Sequence, residues 1–304
     1  MLKQLRQQII QGLWETYRSQ SHDIQQVEIA LKKRGLHKHP LDHFAIIDLP
    51  GPHSGIPYLL QIFAAIGYQE RGKDYLAEKQ NDFLWMAEAG CEQLPAMDAL
   101  PQVVIADFRL DAMPATIQAI TQHYSQQTSP APLERIQQLI QRITKGDENA
   151  VTPCANLILT YFHGRDWPLP TIQEFHTVQE FNELLAWVLL FGRRPNHFTL
   201  SVHLLDYFKN LTEFNQFIEE DADLALNQEG GVLKGGLAAG IAQSSTMGIP
   251  QTIRLADGNI DIPLGFIEFV WRYPQSATKP QYWGEYFTGF IGQHANRVIE
   301  SLYN

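Results

Sequence analysis

The sequence predicts an α+β fold in which two βαβββ modules form one cupped sheet, with a helical insertion between them and helices at both termini. Three observations predict it. Strand-period segments cluster in residues 41–110 and return in 192–275, and each cluster opens on a strand followed by a helical stretch. Between them, residues 111–191 carry Gln- and Leu-rich runs punctuated by Pro130, Pro132, Gly146 and the Trp167-Pro168 turn. The segments 1–40 and 276–304 read as terminal helices, so all 304 residues are expected to form one domain.

Taken in order, Leu2, Leu5, Ile9, Leu13 and Tyr17 recur at spacings of three and four, which predicts an amphipathic helix over 2–19. A second helix is capped by Ser21 or Asp23 and ends on Lys33-Arg34-Gly35. The period then changes to that of a strand over 41–49, closed by Pro50-Gly51-Pro52, and 56–66 is helical up to Gly67. Segments 82–87 and 102–108 read as strands, with room for another near 73–76. Stretches 115–125, 132–144 and 171–191 are helical. In the second module, 196–203 is a strand, Thr212 caps a helix through Glu220, and 242–246, 252–255 and 265–272 are strands. Gly230 to Gly236 reads as a flexible turn, a candidate lid from which Lys234 reaches inward, and 285–303 reads as an amphipathic helix.

Composition excludes several function classes. Lys+Arg 23 against Asp+Glu 33 gives a formal charge of −10, which repels phosphate backbones and argues against a nucleic-acid partner. The longest apolar run, 184–191, is far short of the roughly 18–20 residues that span a bilayer, and the N-terminus lacks a signal-peptide core, so no membrane partner and a cytoplasmic setting are expected. Two cysteines, Cys91 and Cys154, build neither a disulfide framework nor a cysteine zinc site. Eleven histidines beside many carboxylates leave His with Asp/Glu as the ligand set for a metal.

His43 and His197 occupy equivalent positions in the first strand of each module. Glu268 lies in the last strand of the second, with apolar neighbours on both sides, where a carboxylate is costly unless paired or holding a metal. Two His and one Glu meeting in a cup form a 2-His-1-carboxylate triad with open positions for a chelating substrate and O₂. Each also has a plainer reading: a strand histidine serves as a hydrogen-bonded core residue, and Glu268 can pair with Arg272 on the same strand face. Gln243 and Ser245 share a strand face and are candidate donors to a bound acid. His203, about 20 Å along the strand from His197, is too far to join the same metal.

Paired βαβββ modules closing into a cup are the architecture of the vicinal-oxygen-chelate superfamily, a likeness of fold that does not carry function. The stretches Leu41-Asp-His-Phe-Ala-Ile, Arg194-Pro-Asn-His-Phe-Thr199, Gly230-Gly-Val-Leu-Lys-Gly235, Gln243-Ser-Ser-Thr-Met247 and Phe266-Ile-Glu-Phe-Val-Trp-Arg272 go further. In this order, with Tyr286-Phe-Thr-Gly-Phe290, they resemble the 2-oxoadipate dioxygenase/decarboxylase (hydroxyglutarate synthase) family, in its shorter members, over most of 35–304. The resemblance implies a single catalytic domain holding Fe(2+) on His43, His197 and Glu268. It implies a small-molecule 2-oxo acid and O₂ as reaction partners, and oxidative decarboxylation of 2-oxoadipate to 2-hydroxyglutarate, a step of lysine catabolism, in a monomer or homodimer.

The longer members place a substrate-gripping arginine four residues after the first metal histidine, where this chain has Ile47. Isoleucine offers no hydrogen bond to a distal carboxylate. Arg272, four residues from Glu268, is the expected substitute, with Gln243 and Ser245 as further substrate contacts. Two alternatives remain at this stage: an oxygen-independent metal-dependent hydrolase, isomerase or glyoxalase-like lyase on the same scaffold, and a non-catalytic module that binds a small acid.

Overall fold

The computed structural model describes residues 1–276 and 278–290. Two helices lead the chain, α1 (Leu2–Gln20) and α2 (His22–Lys33). The first module follows as β1 (Leu41–Ile47), α3 (Ile56–Ala65), β2 (Tyr68–Leu76), β3 (Asn81–Glu88) and β4 (Gln102–Phe108). The insertion supplies α4 (Ala115–Ser125), α5 (Leu133–Thr144), α6 (Val151–Tyr161), α7 (Ile172–Phe181) and α8 (Glu183–Phe191). The second module comprises β5 (Pro195–Ser201), α9 (Leu211–Asp221), β6 (Lys234–Gly236), β7 (Ile241–Ser245) and, after a hairpin of β8 (Pro250–Arg254) and β9 (Asn259–Pro263), β10 (Phe266–Arg272).

The main sheet is curled and mixed, in the order β2-β3-β4-β1-β5-β10-β7-β6. Outward from its centre, one half reads β1-β4-β3-β2 and the other β5-β10-β7-β6, so the two βαβββ modules are related by an approximate two-fold axis. β1 runs parallel to β4, as β5 does to β10, and β1 meets β5 antiparallel at the axis. In that central pair His43 stands opposite Thr199 and Ala45 opposite His197. Exchanging the halves therefore carries His43 onto His197, as their placement in the sequence predicts.

Several boundaries differ from the sequence reading, each for a local reason. The expected glycine-rich turn contains β6, an edge strand hydrogen-bonded to β7, with Lys234 buried and its Nζ donating to the Asn227 carbonyl at 3.1 Å rather than reaching into the cup. The expected strand at 252–255 is β8, which pairs only with β9 outside the main sheet. Asn210, not Thr212, caps α9 by accepting from the Glu213 amide. The stretch 171–191 divides at Asn182, whose extended backbone ends α7 while its side chain caps α8 through the Leu185 amide. β5 stops at Ser201, so His203 lies in a 3₁₀ turn. Residues 286–290 are not helical, and the rest of the expected C-terminal helix lies outside the described residues.

Strand alternation sends the two faces of the sheet into separate cores. Phe44, Ile46, Phe198, Leu200, Ile267 and Phe269 face outward and pack with α1, α2, α3, α5, α6 and α9. Ile47, Phe83, Ala106 and Phe266 face into the cup, where α8 fills one end with every residue after Glu183 buried. A helix apolar all round is buried all round, which is why 184–191 carries no polar stripe.

Gly192 turns the chain from α8 towards β5 with φ +70° and ψ −151°, and a Cβ there would lie 2.3 Å from the Arg165 amide nitrogen. Gly192→Ala is expected to cost about 2–3 kcal/mol, because backbone strain and an immovable backbone neighbour act together. A urea melt with a lower midpoint and an unchanged slope is the expected result; an unchanged midpoint would refute it.

Candidate metal centre

Each candidate ligand is positioned by a strand at the middle of the cup. His43 projects from β1, His197 from β5 and Glu268 from β10, and each offers one ligand atom lying within 4.8 Å of the other two. Glu268 Oε2 is 3.2 Å from His43 Nε2 and 3.3 Å from His197 Nε2, so the three groups converge on one point. All three are buried. Both ring nitrogens of His197 are buried without a hydrogen-bond partner, while its ring stacks on Phe266 at 5.1 Å and 20°. A buried imidazole with two unsatisfied nitrogens is costly unless something absent from the polypeptide completes it.

The electrostatics suit a cation. Burial pushes the His197 pKa down to about 4, so the ring is a neutral donor at ordinary pH. Burial also opposes charge on Glu268, but His43 and His197 beside it and the Thr199 hydrogen bond outweigh burial and hold its pKa below the usual value. His43 is shifted the other way: burial lowers its pKa, and the carboxylates of Glu268 and Asp42 more than reverse that.

The ligands are held from behind. His43 Nδ1 donates to Asp42 Oδ1 at 2.8 Å, which leaves the Nε2 lone pair aimed at the convergence point. Asp42 in turn accepts a two-pronged pair from Arg272, Nε to Oδ2 at 2.7 Å and Nη2 to Oδ1 at 2.8 Å, and Ser201 Oγ donates to the same carboxylate at 3.3 Å. Burial would raise the Asp42 pKa, but the guanidinium holds it far below the carboxylate range. On the other side, Thr199 Oγ1 donates to Glu268 Oε2 at 2.9 Å and Gln243 Nε2 donates to Glu268 Oε1.

Not every expected substrate contact lines the cavity. Gln243 does. Ser245 is buried opposite Glu268 in the β7–β10 register and lies off the cavity wall. Arg272 lies off the wall as well: it is fully buried, and four of its five N–H donors are committed, two to Asp42 and the two on Nη1 to the carbonyls of Phe287 (2.8 Å) and Gly289 (3.0 Å). Those bonds pin a chain segment across the mouth of the cup. Gln102 Nε2 holds the same segment at the Thr288 carbonyl, and the Phe290 ring lies 4.7 Å from His43 and 5.4 Å from Trp85. Beneath it remains a cavity of about 50 Å³.

Two residues were not legible in the sequence. The register pairs His43 with Gln102 and His197 with Phe266, so Val104 is the two-fold counterpart of Glu268. A second carboxylate there would close the site, and valine leaves that side open. Asn196 is the counterpart of Asp42. The β1–β5 ladder is irregular at both residues, each next to a histidine, and Asn196 lies on the cavity wall, fully buried, with neither amide atom partnered.

Comparison with known proteins follows from this geometry. A family model described as 2-oxoadipate dioxygenase/decarboxylase matches residues 8–271. The chloroplastic 2-oxoadipate dioxygenase/decarboxylase of Arabidopsis thaliana is 29% identical over 276 residues, covering 86% of this chain and 68% of that protein. The crystal structure of the hydroxyglutarate synthase from Oryza sativa, in complex with 2-oxoadipate, gives a TM-score of 0.73 at 25% identity over 97% of this chain and 91% of that one. A glyoxalase-superfamily structure from Ralstonia eutropha gives 0.74 at 16% identity over 94% and 85%, a likeness of fold alone.

Proposed function

The chain belongs to the 2-oxoadipate dioxygenase/decarboxylase family, and on that premise we propose that it is an Fe(II)-dependent non-haem dioxygenase/decarboxylase. It takes a 2-oxo acid and O₂ to the 2-hydroxy acid one carbon shorter and CO₂. The atoms balance: R–CH₂–CO–COOH and O₂ equal R–CH(OH)–COOH and CO₂, with the carbon chain oxidised and O₂ reduced. The observation that carries the proposal is the convergence of His43, His197 and Glu268, with both ring nitrogens of His197 left without a hydrogen bond. Such a set of two neutral nitrogens and one carboxylate fits Fe(II) and leaves positions open. Bound there, Fe(II) supplies the Lewis acidity and O₂ chemistry that no side chain of the cup possesses.

The chain's own residues do the rest. Asp42 and Arg272 hold His43 in the tautomer that points Nε2 inward. Thr199 and Gln243 fix both oxygens of Glu268, so its position is set before a metal arrives. Gln243 lines the cavity, and its second amide hydrogen is assigned to the carboxylate of the acid. Phe290 keeps bulk water from the convergence point. A cytoplasmic setting belongs to the same proposal, supported by two buried, unpaired thiols at Cys91 and Cys154; among the described residues no helix is long and apolar enough to cross a membrane.

Purified protein reconstituted with Fe(II) is expected to bind one iron per chain and, across a panel of six-carbon 2-oxo acids, to take up O₂ in a one-to-one ratio with CO₂ released. Turnover of the same acids under strict anaerobiosis would sink the proposal.

A further inference from the structure

We infer that the cup selects 2-oxo acids whose far end carries no charge, in preference to 2-oxo dicarboxylates. The inference rests on the proposed reaction for the head of the substrate, which sits at the metal, and on the cavity wall for its tail.

From the ligand triad the cavity runs towards Ala45, Ile47, Leu76, Phe83, Val104 and Ala106. Among the described residues no lysine or arginine lines it. The nearby cations are committed elsewhere: Arg272 to Asp42 and two carbonyls, and Lys79, three residues past Leu76, to Glu183. Beyond the triad and Gln243, the wall's polar groups are the amides of Asn81, whose Nδ2 donates to the Asp107 carbonyl at 2.7 Å, and of Asn196. A carboxylate placed there loses its hydration and meets no positive charge in return.

The two-fold axis shows how the asymmetry arises. Across the seam between the halves, Asp42 of β1 forms a buried ionic cluster behind His43 with Arg272 and Ser201 of the second module. Their counterparts across the axis, by the register of β4 and β10 on the central strands, are Asn196, Phe108 and Ile47. Where one set holds a carboxylate and a guanidinium, its two-fold counterpart holds an amide and two apolar side chains. Asn196 is the positioning residue of that end. Its unpartnered Nδ2 and Oδ1 offer a neutral donor group and a neutral acceptor; a hydroxyl or amide satisfies both, while a carboxylate, which only accepts, leaves Oδ1 facing like charge.

A cavity of about 50 Å³ holds little more than one water, so any such acid must displace the Phe290 ring. The wall uncovered by that movement is Trp85, the edge of His43 and the Arg272 guanidinium, which faces the Phe290 ring at 5.2 Å and whose charge is matched by Asp42, so it adds no unpaired cation.

The test uses three acids of equal length that differ only at the far end: 2-oxohexanoate, the 6-amide of 2-oxoadipate, and 2-oxoadipate. Their affinities are measured by calorimetry on the Zn(II)-loaded full chain, where no turnover occurs. Both uncharged acids are expected to bind at least tenfold more tightly than 2-oxoadipate, and Ile47→Arg is expected to reverse the order. If that variant does not fold, the wild-type ratio alone decides. Equal or tighter binding of 2-oxoadipate to the wild type overturns the inference. The same acids with Fe(II) and O₂ separate the two claims. The affinity order without O₂ uptake upholds the selectivity and defeats the reaction; O₂ uptake with 2-oxoadipate bound best upholds the reaction and defeats the selectivity.

Discussion

His197→Ala is expected to lose its iron, and with it at least about 10³-fold in turnover, while folding as stably as the parent. The first half follows from the ligand count: His43 and Glu268 alone leave two protein ligands, too few to hold a divalent first-row metal against dilution. A 10³-fold loss is about 4 kcal/mol of transition-state stabilisation, the order expected when a catalytic metal is removed. The second half follows from the hydrogen bonds. Both His197 nitrogens are unpartnered, so removing them breaks no bond and relieves a buried polar group of its desolvation cost. The lost stacking on Phe266 works in the other direction, and the net change is expected to stay within about 1 kcal/mol. Metal content, O₂ uptake and a thermal melt check it together. A variant that keeps iron and activity would show that the metal, if any, sits elsewhere.

The second large effect is structural. Arg272→Met is expected to destabilise the fold by about 3–5 kcal/mol, because it leaves the Asp42 carboxylate buried without its guanidinium. It also frees the segment at Phe287–Gly289. Replacing both partners, with Asp42→Leu added to Arg272→Met, is expected to restore much of the stability, since an apolar pair of similar volume has no charge to strand. Activity should not return with it: His43 then lacks the acceptor that fixes its ring, a loss of about 10–100-fold in metal affinity or turnover. Urea melts and iron titrations on the single and double variants measure the two effects separately. A double variant no more stable than Arg272→Met would contradict this account.

What the sequence made legible, and what it hid, follows from how local each signal is. His43, His197 and Glu268 could be read because a polar residue inside an apolar strand stands out against period-two alternation, and their strands open or close a module. Arg272 was assigned to the right face but the wrong partner. Spacing along β10 gives a side-chain direction; it does not say that Asp42 reaches the same face through an irregularity in β1. Asn196 was hidden for the same reason, since alternation places a residue next to His197 on the outer face. β6 is three residues long and ends in two glycines, too short and too plain to show a period. β8 had a readable local pattern and no local sign that it leaves the main sheet, while its partner β9 went unread.

The approximate two-fold axis through β1 and β5 has a consequence for how this scaffold can diverge. Most of the support for the metal falls to the second module, which carries His197, the carboxylate ligand and the guanidinium of Arg272. The first contributes His43 and Asp42, both at the start of β1, and is otherwise free. Residues 47, 76, 83, 104 and 106 can therefore be exchanged to fit a different side chain without disturbing the reacting centre. A duplicated fold of this kind can keep one chemistry constant while its menu of acids is rewritten, one strand at a time.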